Sequence, residues 1–226
     1  MRMRFSLLLL VVVFLTSHMV EAQQVAVGVV GGVRTTDDVS GSLTTESKRY
    51  IVGPSVDIRL PKQLSFEFDA LYRRFGFTGY ENSCCGFGSA ITRERANSWE
   101  FPMILKYHLH VGPVHPFVGV GYAPRIVHGT DVASGSYLTG ISDNPPMNSY
   151  TYFFNQRTPT SYPVTQGVII SGGVSRGIGH VLFTPEVRYV HWNAPFLNQS
   201  HHGSDAFVPF ISQQDEVFVL LGVSWH

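Results

Sequence analysis

Charged side chains are scarce in this sequence. They make up 14% of the 226 residues, against roughly 25% in typical soluble domains. Lys plus Arg and Asp plus Glu are balanced at 16 each, so the formal net charge is zero. The absence of a charge excess excludes a basic nucleic-acid-binding protein and an acidic solvating tail. The aromatic content of 13% also excludes a disordered chain.

Long hydrophobic runs are also missing. Residues 5–15 are apolar except for Ser6, follow Arg2 and Arg4, and precede Val20-Glu21-Ala22. This pattern is typical of a secretory signal peptide, so we expect removal of residues 1–22 and a mature domain of residues 23–226. The run is shorter than the ~20 apolar residues of a spanning helix. Since no later stretch approaches that length, the mature domain is either soluble after export or a membrane β-barrel.

Cysteine occurs only as the adjacent pair Cys84-Cys85. Export to an oxidising compartment allows a disulfide between them, but two free thiols or intermolecular bonds are the alternatives. Without further cysteines, a cysteine-based metal site is not supported. We interpret His201-His202 as solvated loop residues, and we expect neither a metal nor a cofactor.

Alternation of apolar and polar residues dominates the mature sequence. Eight segments of strand length follow this period-two pattern, namely residues 25–34, 49–60, 64–74, 98–110, 116–125, 165–176, 181–192 and 216–226. Short turns alternate with long loops, which cover residues 35–48, 75–97, 126–164 and 193–215. The pattern predicts an all-β, eight-stranded antiparallel up-and-down transmembrane barrel with short periplasmic turns and four long extracellular loops.

The alternation alone does not say which face points outward, because a soluble lipocalin-like barrel has the same period with its faces reversed. The asymmetric loop lengths and the aromatic residues near both ends of the apolar face favour the membrane barrel. The predicted aromatic girdle consists of Tyr50, Tyr72, Trp99, Tyr107, Tyr122 and Trp225. The apolar face then meets lipid and the polar face lines the lumen.

Several fragments resemble small outer-membrane β-barrel proteins of Gram-negative bacteria, in the OmpA/OmpX-like eight-stranded class. They are YIVGP (50–54), EFDALYR (67–73), WEFPM (99–103), PFVGVG (116–121), PEVRY (185–189) and the closing strand 216–225. The resemblance covers nearly the whole mature chain and is strongest with acidobacterial outer membrane β-barrel proteins.

This resemblance implies a location in the outer membrane, contact with outer-membrane lipid and lipopolysaccharide, and insertion by the barrel assembly machinery. It implies a monomer and no nucleic acid partner, but no single biochemical activity. Barrels of this class usually end on an aromatic residue that the assembly machinery reads. Here His226 follows Trp225, which shifts that signal by one residue or weakens it.

The polar face predicts a lumen with five acids and five bases. They are Asp57, Arg59, Glu67, Asp69, Arg73, Glu100, Lys106, Arg125, Glu186 and Arg188. An eight-stranded barrel is only wide enough for its own side chains, and an unpaired charge inside it is costly. The equal numbers therefore favour mutual neutralisation in a plugged lumen over the alternative, a narrow porin-like diffusion channel.

Some members of this predicted ion-pair network are expected at specific depths. Arg59 and Arg125 are the residues expected nearest the rims. Glu67, Asp69, Glu186 and Arg188 fall in the middle of their strands, with Arg73 and Lys106 in reach from neighbouring strands. We expect at least one direct carboxylate–guanidinium pair among these six.

Residues 188–194 resemble the active strand of outer-membrane lipid A deacylases, which place a His, a Ser and an Asn in a close run. Here His191 and Asn193 are present, but Trp192 stands where the resemblance requires the nucleophilic serine. We therefore expect a non-enzymatic protein with a structural or surface-interaction role.

Basic residues gather near the loop ends of the second to fourth strands. They are Lys48, Arg49, Arg74, Arg93 and Arg95. Lipopolysaccharide phosphates lie at this level of an outer membrane, and arginine binds phosphate well. Ordinary solvated loop charge is the alternative interpretation.

Overall fold

The computed structural model describes residues 24–37, 39–40, 44–46, 49–82, 89–109, 111–137, 151–158, 162–196, 198–199 and 210–225. The predicted signal peptide, Lys48, Cys84-Cys85, His201-His202 and His226 lie outside these ranges. Within them, no helix is long and apolar enough to cross a membrane.

Eight antiparallel strands close into a barrel, as predicted. They are β1 (Val25–Arg34), β2 (Tyr50–Leu60), β3 (Leu64–Asp69 and Leu71–Asn82), β4 (Ser89–Glu100 and Met103–His108), β5 (His115–Tyr137), β6 (Val164–Ile178), β7 (Val181–Trp192) and β8 (Asp215–Trp225). Each strand pairs with its neighbours along the chain, and β8 pairs with β1, where Val27 lies opposite Trp225. This last pairing closes the sheet, so neither terminal strand leaves an open edge in the barrel.

Three tight turns lie at one end of the barrel, which we call the turn end. Between β2 and β3, Lys62 and Gln63 have φ angles of 64° and 65°, the positive values that tight hairpins require. Gly112 and Gly179 supply the same geometry in the two other turns, with φ angles of 62° and 63°. The longer connections lie at the opposite end, which we call the loop end.

At the loop end, the strands continue beyond their predicted limits. The sequence predicts loops at residues 75–97 and 126–164, but β3 runs to Asn82, β4 starts at Ser89 and β5 runs to Tyr137. Pairing between β3 and β4 extends out to Asn82 and Ser89. The alternation is weak there because a strand outside the barrel has no single apolar face to bury. Shorter strands at this end are Val39–Ser40, Thr44–Glu46, Thr151–Thr158, Asn198–Gln199 and Phe210–Ser212.

The two faces of the barrel wall differ sharply in polarity. Val118 and Val120 point outward and are each 61% exposed, and Ile170 is 58% exposed. The intervening inward positions are buried and include ten charged residues. The six aromatic residues expected in the girdle also lie on the outer surface, where the rings of Tyr72 and Trp99 have centroids 5.4 Å apart.

Candidate functional site

The barrel interior is filled largely by charged side chains. Ten of them are at most 6% exposed, namely Arg34, Glu67, Asp69, Arg73, Glu100, Lys106, Arg125, Glu186, Arg188 and Glu216. They form two clusters at different heights. The chemistry of the interior follows from these clusters and from what separates them.

The turn-side cluster consists of Glu67, Asp69, Lys106, Glu186 and Arg188. Lys106 Nζ donates to Glu67 Oε2 at 2.6 Å and to Glu186 Oε2 at 2.7 Å. The Arg188 guanidinium donates to all three carboxylates, at 2.9 Å to Glu67, 2.9 Å to Asp69 and 2.8 Å to Glu186. Three carboxylates thus surround two cations, which leaves one negative charge in formal excess.

The loop-side cluster consists of Arg34, Arg73, Glu100, Arg125 and Glu216. Arg73 binds Glu216 in a bidentate pair with two contacts of 2.9 Å, the strongest geometry for this type of ion pair. Arg125 Nη1 lies 3.2 Å from Glu216, and Arg73 Nε lies 3.6 Å from Glu100. Three arginines here face two carboxylates, so this cluster carries one formal positive charge.

An apolar layer separates the two clusters. It is formed by Ile51, Leu71, Ala123, Ile169, Val190, Phe218 and Leu220, and it is bordered by Glu100 on one side and Arg188 on the other. The void among these described side chains has no room for a water molecule. The interior is therefore closed at this height by apolar packing as well as by ion pairs.

Aromatic rings cover the loop-side cluster. The Arg125 guanidinium lies 3.8 Å from the centre of the buried Trp192 ring, and Arg73 lies 4.0 Å from that of Phe75. Phe75 in turn stacks on Phe196 with a centroid distance of 4.4 Å. A Cβ atom at Gly167 would come within 2.8 Å of the Trp192 ring, so the glycine lets the indole pack against the barrel wall.

Below the turn-side cluster, the interior opens into a cavity of about 280 Å³, which we call the turn-end chamber. Its lining residues are Ala26, Asp57, Arg59, Leu60, Gln63, Leu64, His108, His115, Ser175 and Leu182. Ser65 Oγ lies 3.2 Å from Asp57 Oδ2 and 2.9 Å from His108 Nε2. A second cavity of about 20 Å³, roughly the room for one water, is lined by Asp57, Glu67 and Glu186 among others.

Eight of the ten residues expected in the lumen network belong to the two clusters, but Asp57 and Arg59 do not. Arg59 is exposed and donates to Gln24 Oε1 at 2.9 Å, away from the clusters. Arg125, expected near a rim, is completely buried. Sequence reasoning missed Arg34 and Glu216, although both lie at the ends of the predicted segments 25–34 and 216–226 and have the inward parity.

The residues expected at lipopolysaccharide phosphates lie in several environments. Arg74 and Arg95 are on the outward face of β3 and β4, beyond the Tyr72–Trp99 pair in the direction of the loop end. Arg49 is exposed and forms an ion pair with Asp37. Arg93 lies in β4, but its side chain is outside the described set, as is Lys48.

His191 lies on the outer surface near the loop end. Its Nδ1 atom is 2.7 Å from Asp215 Oδ1, and Tyr189 Oη donates to the same oxygen at 2.5 Å. The adjacent Trp192 points into the barrel and is buried. Asp215 thus orients the imidazole of His191. In the described part of the chain, no serine hydroxyl contacts this imidazole as a deacylase nucleophile would.

No protein-family model and no curated protein matches this chain. Among solved structures, it is similar to the outer membrane protein OprG from Pseudomonas aeruginosa, with 12% identity, a TM-score of 0.52, and coverage of 89% of this chain and 93% of OprG. Neisserial surface protein A matches with 13% identity, a TM-score of 0.42, and coverage of 91% and 99%. The N-terminal β-barrel domain of Pseudomonas aeruginosa OprF matches with 10% identity, a TM-score of 0.39, and coverage of 90% and 98%. The likeness to OprG shows that the two chains share the β-barrel fold.

Proposed function

We propose that this protein is a non-enzymatic integral outer-membrane β-barrel whose lumen is closed by its own side chains. The observation that carries the proposal is the contrast between an outer surface of exposed apolar residues and an interior of buried ion pairs. A soluble ligand-binding barrel has the opposite arrangement, because its apolar side chains face the ligand cavity. An outer surface like this one is stable where lipid covers it.

Strand lengths support the same proposal. β1, β2, β7 and β8 contain 10, 11, 12 and 11 residues, close to the roughly 9–11 residues that a tilted strand needs to cross a bilayer. The fold shared with OprG and the signal peptide expected from the sequence agree with export to the outer membrane. In this topology the turn end faces the periplasm and the loop end faces outward, and the chain is a monomer inserted by the barrel assembly machinery.

The apolar layer and the two ion-pair clusters favour a structural or surface-interaction role over a diffusion channel. A channel needs a continuous water path, whereas the void among the described side chains of the apolar layer has no room for a water molecule. The deacylase alternative needs a nucleophile beside its base. His191 pairs with Asp215, which can orient the imidazole but cannot replace a serine nucleophile.

The membrane proposal is tested by cell fractionation and by gel mobility. We expect the protein in outer-membrane fractions, and we expect unheated samples to migrate faster than heated ones because folded barrels resist detergent. In planar bilayers, we expect no discrete conductance steps. Recovery as a soluble periplasmic protein would overturn the membrane assignment, and regular single-channel steps would favour the porin-like alternative.

We further propose that Arg74 and Arg95 bind phosphate groups of lipopolysaccharide. Both are on the outward face just beyond the Tyr72–Trp99 pair, where phosphates of the outer leaflet lie above an aromatic girdle. Neither forms an ion pair with a side chain that the structure describes. Guanidinium groups at this level can therefore meet phosphate directly.

The Arg74→Ala/Arg95→Ala double variant tests this contact against Arg176→Ala, which removes an exposed arginine at the turn end. Binding to purified lipid A should weaken in the double variant and stay unchanged in the control. Dephosphorylated lipid A should bind the double variant and the Arg176→Ala control with equal affinity. If the double variant loses the same affinity for lipid A and for dephosphorylated lipid A, phosphate is not the group recognised.

A further inference from the structure

The turn-end chamber contains a carboxylate that differs from those in the clusters. Glu67, Asp69, Glu186 and Glu216 each lie within 3.2 Å of a lysine or arginine nitrogen. Asp57, which is half-buried, makes no ion pair with any residue that the structure describes. Its one recorded hydrogen bond is to Ser65 Oγ, at Oδ2.

Nearby cations do not neutralise Asp57 at contact distance. Arg59 lies two residues along the same strand but directs its guanidinium to Gln24 Oε1. Lys106 is held between Glu67 and Glu186. The Asp57 carboxylate in the chamber wall is therefore partly desolvated and has no direct counter-ion among the described residues. Burying a charge in this way costs free energy unless a cation or water approaches it.

The charge of the surroundings selects the kind of molecule that would stabilise this site. Asp57 shares the cavity of about 20 Å³ with Glu67 and Glu186 of the turn-side cluster, which has one negative charge in formal excess. The three carboxylates border this small cavity next to the chamber, and their negative fields add up between low-dielectric walls and favour cations. Arg59 also lines the chamber, but its guanidinium is exposed and bonded to Gln24. His108 approaches Asp57 through Ser65, and His115 also lines the chamber.

The shape and the remaining lining indicate what the cation is attached to. The chamber of about 280 Å³ is close to the lower size limit of ligand pockets, roughly 300 Å³. Ala26, Leu60, Leu64 and Leu182 give it an apolar wall. Arg59 and Gln63 are exposed at the turn end, so the chamber is open to solutes on that side.

We propose that the turn-end chamber is a binding site for a small organic cation, in which an ammonium or guanidinium group pairs with Asp57 and an apolar body packs against Leu64 and Leu182. Ser65 donates to Asp57 Oδ2 and so orients the carboxylate, and in this proposal the cationic group pairs with Oδ1. Binding itself does not depend on the proposed membrane topology, which decides only that the site faces the periplasm.

Three probes of one shape but different charge test the proposal: phenethylamine, 2-phenylethanol and phenylacetate. Each is titrated calorimetrically into the full mature protein, folded in a non-ionic detergent. We expect saturable binding of phenethylamine, about tenfold weaker binding of the alcohol because a charge-assisted hydrogen bond is lost, and the weakest binding for the anion.

Asp57→Asn preserves the shape of the side chain and should lower phenethylamine affinity about tenfold, to the level of the alcohol. Asp37→Asn makes the same charge change at an exposed loop-end position and should leave all three affinities unchanged. Heat-dependent gel mobility verifies that each variant is folded. The ranking of the three probes on the unaltered protein tests the proposal independently of either variant.

Two results would overturn the site. Equal affinity for all three probes would show an apolar cavity without charge selection. Full phenethylamine affinity in folded Asp57→Asn would show that the amine binds elsewhere. Failure of these binding tests together with correct outer-membrane fractionation would reject the chamber as a ligand site and leave the membrane proposal standing.

Discussion

In the loop-end half of the barrel, Glu216 is completely buried and contacts Arg73 and Arg125, and aromatic rings cover the cluster. In the turn-end half, Asp57 borders a cavity of about 280 Å³, and its hydrogen-bond partner among the described residues is Ser65. The two carboxylates occupy inward positions of the same barrel wall. A deeply buried carboxylate therefore requires a counter-ion from the protein, whereas a carboxylate near an open end can be stabilised by solvent or by a ligand.

Side-chain volume creates this difference between the halves. Three large rings, namely Trp192, Phe196 and Phe218, are buried towards the loop end, whereas one, Phe117, is buried near the turn end. The chamber at the turn end includes two small lining residues, Ala26 and Ser175. Because the diameter of an eight-stranded barrel is nearly fixed, the size of its inward residues decides whether a given height is packed or hollow.

Removing the most connected cation should have the largest effect on stability. Arg188→Ala leaves Glu67 and Glu186 with Lys106 as their remaining cation and leaves Asp69 without a cation in the turn-side cluster. We expect a loss of about 3–5 kcal/mol in the free energy of unfolding, because breaking a buried ion pair strands a charge. Urea unfolding in lipid vesicles measures it, and ion leakage through reconstituted protein should rise as the plug loses a bulky side chain.

Arg59→Ala is the matched control in the turn-end half. Its guanidinium is exposed and contacts Gln24, so its removal should change the free energy of unfolding by no more than about 0.5 kcal/mol. If Arg59→Ala and Arg188→Ala lower the free energy of unfolding by similar amounts, the packed network and the solvated rim do not differ in their contribution to stability.

Leu105→Arg tests whether lipid surrounds the barrel wall in both halves. Leu105 is on the outer surface next to the inward-facing Lys106. An arginine near the middle of the bilayer should cost about 2–4 kcal/mol of folding free energy, with a smaller cost nearer either end of the barrel. Leu105→Met keeps the apolar surface and should fold normally. If Leu105→Arg unfolds in lipid vesicles at the same urea concentration as the unaltered protein, lipid does not contact this face.

A smaller effect is expected from neutralising one carboxylate of the turn-side cluster. Glu186→Gln keeps the side-chain shape but removes the charge that accepts hydrogen bonds from both Lys106 and Arg188. Since hydrogen bonds to charged groups contribute about 1.5–3 kcal/mol, we expect a loss within that range. The midpoint of urea unfolding should fall while the slope stays constant. An unchanged midpoint would show that Glu67 and Asp69 neutralise the two cations without Glu186.

The sequence was sufficient to predict the barrel and the direction of most side chains, because period-two alternation assigns every strand residue to a face. It was not sufficient to predict the partners across the lumen. The sequence predicts Arg73 and Lys106 within reach of the four mid-strand residues, but Lys106 joins that cluster and Arg73 pairs instead with Glu216. Such contacts depend on the stagger between strands at closure, and alternation within a strand contains no information about that stagger.

Arg34 and Glu216 show a second limit of the sequence. Both faces of β1 and β8 are fairly apolar, so the parity of these strands is weakly marked. The loop-end extensions of β3, β4 and β5 show a third limit. Pairing between strands forms them beyond the part of the barrel where a buried face constrains the apolar–polar alternation, so the sequence does not mark them as strands.

The smallest effect on stability should come from Asp57→Asn, and this makes it the sharpest comparison with Glu186→Gln. Both changes replace an inward-facing carboxylate by its amide, and both residues border the same cavity of about 20 Å³. Glu186 loses two cationic partners, whereas Asp57 has no ion pair within the described chain to lose. The amide can still accept the hydrogen bond from Ser65, and removal of a carboxylate lacking a direct counter-ion relieves part of its desolvation cost. We therefore expect the urea midpoint of Asp57→Asn to equal or slightly exceed that of the unaltered protein. The free energy of unfolding should change by no more than about 0.5 kcal/mol. A loss as large as that of Glu186→Gln would mean that Asp57 is part of the structural network, and the division between a paired interior and an open chamber would no longer hold.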